Sequence, residues 1–273
     1  MNTVCDHSLP NPEVLDYLVQ NGGEWPASTQ PLPRSAWSEF LLADLRAADY
    51  IVVNSDFVKE SFVRFGWEAA RIAVHYTGVD DDFFQALPPY APRRNPRPRA
   101  LFAGELSRRK GIEVLAAAMS HLNGLDFDLE LIGSTASADS DYALSALRAD
   151  ARIQFSDYVP RRTLAQRMSA ADIFVFPSLA EGSARVVFMA LGSGCHAIVT
   201  PNAGSIVQDG VHGNLVPPGD ARVLAEALTW AVQHPGEIAA IGRQNAALIR
   251  SEFVQQAYGR QTRAFYENLQ PPA

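Results

Sequence analysis

FVFPSLAEGSARVVFMALGSG, residues Phe174 to Gly194, is the stretch whose reading decides the fold. A buried strand ends at Pro177, a short turn carries Glu181 and Gly182, and an apolar helix begins near Ser183. In an open parallel sheet this arrangement leaves free backbone N–H groups of the helix facing the crevice at the strands' carboxyl ends, where phosphate binds. A carboxylate just before that helix suits paired hydrogen bonds from sugar hydroxyls. It suits a helix-capping role equally well, since an acid there complements the helix dipole.

Working outward from this stretch, short apolar runs alternate with helical patterns from Ala100 onward, as in a parallel sheet covered by helices on both faces. Strands are expected at Ala100 to Gly104, Phe127 to Gly133, Arg152 to Phe155, Ile173 to Phe176, His196 to Thr200 and Asn214 to Val216. Helices are expected at Gly111 to Leu122, Asp141 to Arg148 and Thr163 to Ala171, with another capped by Asp220 and running to Val232. The fold class is therefore α/β, and residues 100–250 read as one complete doubly wound domain, followed by a C-terminal helix and tail over 251–273. Before it lies PPYAPRRNPRPR (Pro88 to Arg99), whose five prolines in twelve residues mark a linker. Upstream, ADYIVVNS (Ala48 to Ser55) and ARIAVHYTG (Ala70 to Gly78) supply two strands flanking a helix. Residues 1–87 contain too few elements for a free-standing domain of this type and read as the second half of one.

The 273 residues are 47% hydrophobic and 19% charged, a mixture that buries real cores and does not read as disordered. A net charge of −7 argues against nucleic acid and against broad binding to anionic membranes. One local basic patch, Arg93, Arg94, Arg97 and Arg99, escapes that average; it reads first as a solvated linker and second as a contact for an acceptor phosphate or lipid headgroup. Cys5 and Cys195 are far apart and in no metal-ligand spacing, so neither a disulfide framework nor a zinc site is supported, and a reducing cytoplasm fits best. No stretch approaches a membrane span or a signal peptide, so any work at a membrane is done from the surface, as a peripheral contact at its inner face.

AADIFVFPSLAEG (Ala170 to Gly182), followed by a helix, a Gly-containing turn and the strand AIVT (Ala197 to Thr200), resembles the central motif of glycosyltransferase family 4, the retaining enzymes of GT-B fold also called glycosyl transferases group 1. Other matching blocks stand in the right order. They are NSDFVKESFVRFG (from Asn54), GVDDDFF (from Gly78), LFAGELSRRKGIEVL (from Leu101), FSDYVP (from Phe155) and NAGSIVQDGVHGNLVPPGDARVLAEAL (from Asn202). The resemblance implies a GT-B fold with a nucleoside-diphosphate sugar as donor substrate, bound by the complete domain, and a partial acceptor-side domain before it. It also implies a chain shortened at its N-terminus. The missing part is then encoded separately as a partner chain, or Met1 is an internal start of a longer product.

By that resemblance Lys110 contacts the donor diphosphate, where a compact point charge suits a leaving group that gains negative charge. Many relatives carry an arginine directly after the strand glycine, where this chain has Glu105; Arg109 is then the second cation and Arg108 the reserve. Glu181 holds the donor sugar, with Gly182, Ser183 and Ala184 at its phosphate and sugar end. The family commonly spaces two glutamates eight positions apart, the second holding the nucleotide ribose, and here that position is Met189. Gly133, Ser134, Tyr158, Val159 and Pro160 line the pocket for the base. His7, in NTVCDHS (Asn2 to Ser8), touches the donor sugar or, equally, caps a strand as a turn histidine. Asp80, Asp81 and Asp82 contain a DxD string, but they belong to the block leading into the linker, and no metal is expected from them.

Two function classes follow. One is a retaining enzyme that moves a hexose to a carbohydrate or lipid-linked acceptor. The other is a degenerate or truncated nucleotide-sugar-binding protein acting through a partner chain. A nicotinamide-dependent oxidoreductase is disfavoured, since no GxGxxG follows a first strand.

Overall fold

A computed structural model describes residues 3–12, 14–26, 36–88, 90, 97–135 and 140–269, with residues 36–38 described as backbone only. Most of the proline-rich linker and its Arg93 and Arg94, together with Met1 and Asn2, fall outside the described residues.

Among the described residues the chain builds two parallel sheets. The smaller pairs β1 (Val4–His7) with β2 (Tyr50–Val53) and β2 with β3 (Ile72–Val74). Helices α1 (Leu15–Gln20) and α2 (Ala36–Ala47) lie between β1 and β2 in the chain. Helix α3 (Asp56–Val63) joins β2 to β3, and α4 (Asp81–Ala86) follows β3. Ser55 starts α3 by accepting the Val58 N–H, and Asp80 starts α4 by accepting that of Phe83, each satisfying a donor that the first turn leaves free. Leu45, Ile51, Val53, Val58, Phe62 and Ile72 form the core behind this sheet.

The larger sheet has six strands in the order β6-β5-β4-β7-β8-β9, all parallel. They are β4 (Arg99–Ala103), β5 (Asp128–Ile132), β6 (Ile153–Ser156), β7 (Ile173–Phe176), β8 (His196–Val199) and β9 (Gly213–Leu215). Numbered from β4, this is the 3-2-1-4-5-6 order of the doubly wound dinucleotide-binding fold. The connecting helices are α5 (Ile112–His121), α6 (Asp141–Arg148), α7 (Arg161–Ala170), α8 (Arg185–Gly192) and α9 (Ala221–Gln233). Strands β7 and β8 are buried along their whole length, which is why they read as continuous apolar runs. Phe102, Phe174, Phe176 and Phe188 are fully buried in the core between sheet and helices. Burying such side chains contributes about 1.5–3 kcal/mol each.

The expected strands of the larger sheet are present with ends shifted by at most one residue, whereas β3 stops at Val74, four residues short of the expected Gly78. Helix α7 begins at Arg161 rather than Thr163, and α8 at Arg185 rather than near Ser183. Helix α10 (Pro235–Glu252) was not expected, although Ile238, Ala246 and Ile249 bury one of its faces. Its helical apolar spacing is diluted by charged and small residues. Beyond it, the chain returns to the smaller sheet. Val79 and Val254 form a parallel bridge, and α11 (Gln255–Glu267) lies on β3 through a Gln261 bond to the Val74 carbonyl and a His75–Thr262 bond. Phe265 closes edge-on against Tyr50 and His75.

Candidate functional site

The strand order reverses between β4 and β7, so the loops after them leave the sheet in opposite directions and open a crevice at their carboxyl ends. The two loops are tied together. Leu179 N–H donates to the Arg109 carbonyl at 2.9 Å, and Ser178 Oγ lies 3.1 Å from the same carbonyl, its single proton shared between that oxygen and Glu181 Oε1. After the turn Arg108–Lys110, Gly111 adopts φ +78°, and a Cβ there would lie 2.0 Å from the Pro177 carbonyl oxygen. Only glycine permits this approach, which sets Lys110 directly over the β7 loop.

Lys110 Nζ and Arg109 Nη1 each lie 2.6 Å from Glu181 Oε1, which also accepts from Ser178 Oγ at 3.1 Å. Glu181 is only 7% exposed. Burial pulls the Lys110 ammonium below its usual range, and the Glu181 carboxylate beside it opposes that pull. The ammonium also stands 5.3 Å from the centre of the Phe176 ring, within reach of a cation–π contact.

This cluster forms part of the wall of a cavity of about 610 Å³, a size suited to a small-molecule ligand. Gly133 and Ser134 after β5, Tyr158 and Val159 after β6, and Met189 on α8 line the same cavity, whereas Pro160, expected with them, is not in its lining. Ser183 and Ala184 also line it. Ser183 Oγ is buried with no hydrogen-bond partner among the described residues, a cost that a bound polar group would remove. A second hollow of about 400 Å³ lies at the amino ends of β4, β5 and β6, beside Arg99, Asp128 and Arg152, at the other end of the sheet.

Several expectations need correction. The backbone N–H groups at the turn are not all free: that of Glu181 donates to the Asn202 carbonyl and that of Ala184 to the Ala203 carbonyl, both at 2.9 Å. Gly182 does not line the cavity; it sits against the smaller sheet. Its carbonyl accepts from Ser55 Oγ at 2.5 Å, and a Cβ on it would lie 1.6 Å from the Ser8 carbonyl oxygen. Arg108 is half-exposed, 3.7 Å from Glu113 and outside the cavity lining, whereas Arg109 lines the cavity and pairs with Glu181. His7 does not line the cavity either. Its ring meets Phe62 edge-on at 5.5 Å, and its Nε2 is buried without a partner among the described residues. Burial holds its pKa below the usual histidine value, against a bond to the Pro10 backbone. This is the turn histidine of a packed strand end.

Sequence reasoning passed over two residues here. Arg161 and Arg185 line the cavity, and both bind Asp80 Oδ2, at 2.5 and 3.2 Å. Their positions directly after Pro160 and inside the helix following Glu181 were the available signal.

A family model for glycosyl transferases group 1 matches residues 97–234, half of the chain and the part that holds Lys110, Glu181 and Met189. Among curated relatives, a D-inositol 3-phosphate glycosyltransferase of Arthrobacter sp. (strain FB24) is 30% identical over 66% of this chain and 48% of its own length. The colanic acid biosynthesis glycosyltransferase WcaL of Escherichia coli, itself a putative assignment, is 24% identical over 82% of this chain and 58% of its own. The chain thus spans about half the length of the curated relatives it matches. Among solved structures, sucrose-phosphate synthase from Thermosynechococcus elongatus superposes with a TM-score of 0.76 at 23% identity, covering 97% of this chain and 67% of that one. Anabaena HepE in complex with UDP and glucose gives 0.70 at 20% identity, covering 86% and 68%. The fold is of the GT-B type, and the chain belongs to the glycosyl transferases group 1 family.

Proposed function

We propose that this chain carries the donor site of a retaining glycosyltransferase that moves a hexose from a nucleoside-diphosphate sugar to a carbohydrate or lipid-linked acceptor. Residues 100–250 are the donor-binding part in this reading, and residues 1–87 the acceptor side. The observation that carries it is the convergence of Lys110 and Arg109 on the buried Glu181 at the switch point of the sheet. A diphosphate arriving there meets two cations in a partly desolvated wall, where electrostatic stabilisation of developing negative charge is strongest. The three donors to Glu181 converge on Oε1, which leaves Oε2 for hydroxyls of the sugar.

In the step itself the bond between the anomeric carbon and the diphosphate oxygen breaks, and the electron pair leaves with the diphosphate. The acceptor oxygen attacks on the same face, and its proton passes to the departing phosphate oxygen. No protein nucleophile is needed, and His7 has no part in it.

The test is turnover of a panel of UDP-, GDP- and ADP-sugars by the purified protein, alongside Lys110→Gln. Consumption of one donor, lost in the variant, supports the proposal. Absence of both turnover and nucleotide binding overturns it. Nucleotide binding without turnover favours a degenerate binding protein, a reading supported by Met189 standing in the cavity where the family commonly has an acid.

A further inference from the structure

The cavity has a second cationic wall that the proposed chemistry does not use. Arg161 and Arg185 are the first residues of α7 and α8, and Asp80 comes from a third place, the turn between β3 and α4. Asp80 Oδ1 is spent on the Phe83 N–H at 3.1 Å, and both guanidinium groups share Oδ2. One carboxylate balances one guanidinium, so the cluster keeps a positive charge. On the Lys110 side, Lys110 and Arg109 share Glu181, and the exposed Glu105 cancels what remains. A diphosphate carries a negative charge on each phosphate, so the Lys110 side by itself falls short of neutralising it. Among the described residues, the arginine pair supplies the other basic groups of the cavity wall. Their side chains are 55% and 46% exposed and therefore free to turn, whereas Asp80 is 14% exposed and fixed by its capping bond. Guanidinium forks match phosphate oxygens in pairs.

We infer that Arg161 and Arg185 form a second phosphate clamp, held on Asp80 until the diphosphate of the ligand displaces that carboxylate. This rests on the donor-site reading given above and adds residues and a division of labour to it. Lys110 and Arg109 meet the diphosphate from the β4 loop, and the arginine pair meets it from α7 and α8.

The experiment is titration calorimetry of the full chain with UDP, GDP, ADP and inorganic pyrophosphate, comparing wild type with R161Q, R185Q, the double variant and D80N. Each arginine variant is expected to weaken the tightest-binding nucleotide about tenfold, and pyrophosphate likewise. D80N keeps the helix cap, since asparagine caps as well as aspartate, and releases both guanidinium groups, so it should bind at least as tightly as wild type. Wild-type affinity in the double variant overturns the clamp and leaves the donor-site reading standing. A loss in D80N as large as in the arginine variants also overturns it. If no nucleotide binds but pyrophosphate does, and the double variant loses it, the clamp stands while the donor-site reading falls. If neither binds wild type, both fall.

Discussion

Replacing Glu181 by alanine should damage the protein far more than replacing Lys110 by methionine, although the two groups are partners in one ion pair. Glu181→Ala leaves Lys110, whose side chain is 15% exposed, facing Arg109 with no acid between them. Removing one member of a buried pair costs about 3–5 kcal/mol. Arg109 is 35% exposed and recovers water, so the lower end, about 3 kcal/mol, applies. Lys110→Met removes a cation that burial already disfavours, and Glu181 keeps Arg109 and Ser178. The methionine retains most of the apolar stem, so the cost should be about 1 kcal/mol or less. At roughly 2–4 °C per kcal/mol for a chain of this size, the two variants should differ in Tm by about 4–8 °C. Scanning calorimetry of both single variants and the double variant measures this. The double variant should lie close to Lys110→Met, because the alanine then leaves no unbalanced lysine. If Lys110→Met proves as damaging as Glu181→Ala, the charge argument is wrong and the cluster is held by packing.

Gly182→Ala should cost about 3 kcal/mol or more, because its Cβ would meet the Ser8 carbonyl oxygen at 1.6 Å and carbon at 2.7 Å, both backbone atoms that cannot swing aside; urea unfolding with a change under 0.5 kcal/mol would contradict the tight seat of this turn on the smaller sheet. Burial holds His7, His75, His196 and His212 below the usual 6.5. The unfolded chain then binds protons that the folded chain refuses, and stability falls as pH drops through 6.5 toward the folded values. Thermal melts between pH 7.5 and 5.5 should show Tm decreasing, with a shallower slope in His7→Gln; a flat profile would speak against it. Met189→Glu places a carboxylate on the cavity wall and should tighten nucleoside-diphosphate binding about tenfold if the ribose lies there, while leaving pyrophosphate binding no tighter. Equal tightening of both would place the ribose elsewhere.

The large sheet was legible because its strands are short and its central ones, Ile173–Phe176 and His196–Val199, are buried along their whole length and carry that burial in their composition. The turn at Glu181 was legible because Pro177 ends a strand and Gly182 permits a close approach. Helix α10 was not, since Gly242 and Asn245 are buried within it and interrupt the apolar pattern. Asn245 is buried because its amide donates to the Cys195 and His212 carbonyls, a pairing no local pattern announces.

The site divides in the same way. Lys110 and Glu181 stand beside Gly111 and Gly182, which the local backbone requires, and their meeting follows once β4 and β7 are neighbours. The sequence by itself therefore determined the strands of the large sheet, their order along the chain, and the blocks that carry Lys110 and Glu181. Only the tertiary structure decided that His7 packs on Phe62 instead of facing the cavity, that Gly182 serves the join between the sheets, and that Asp80, Arg161 and Arg185 meet. Those outcomes depend on side chains from segments far apart in the chain competing for the same space and charge, and spacing along a sequence carries no record of that competition.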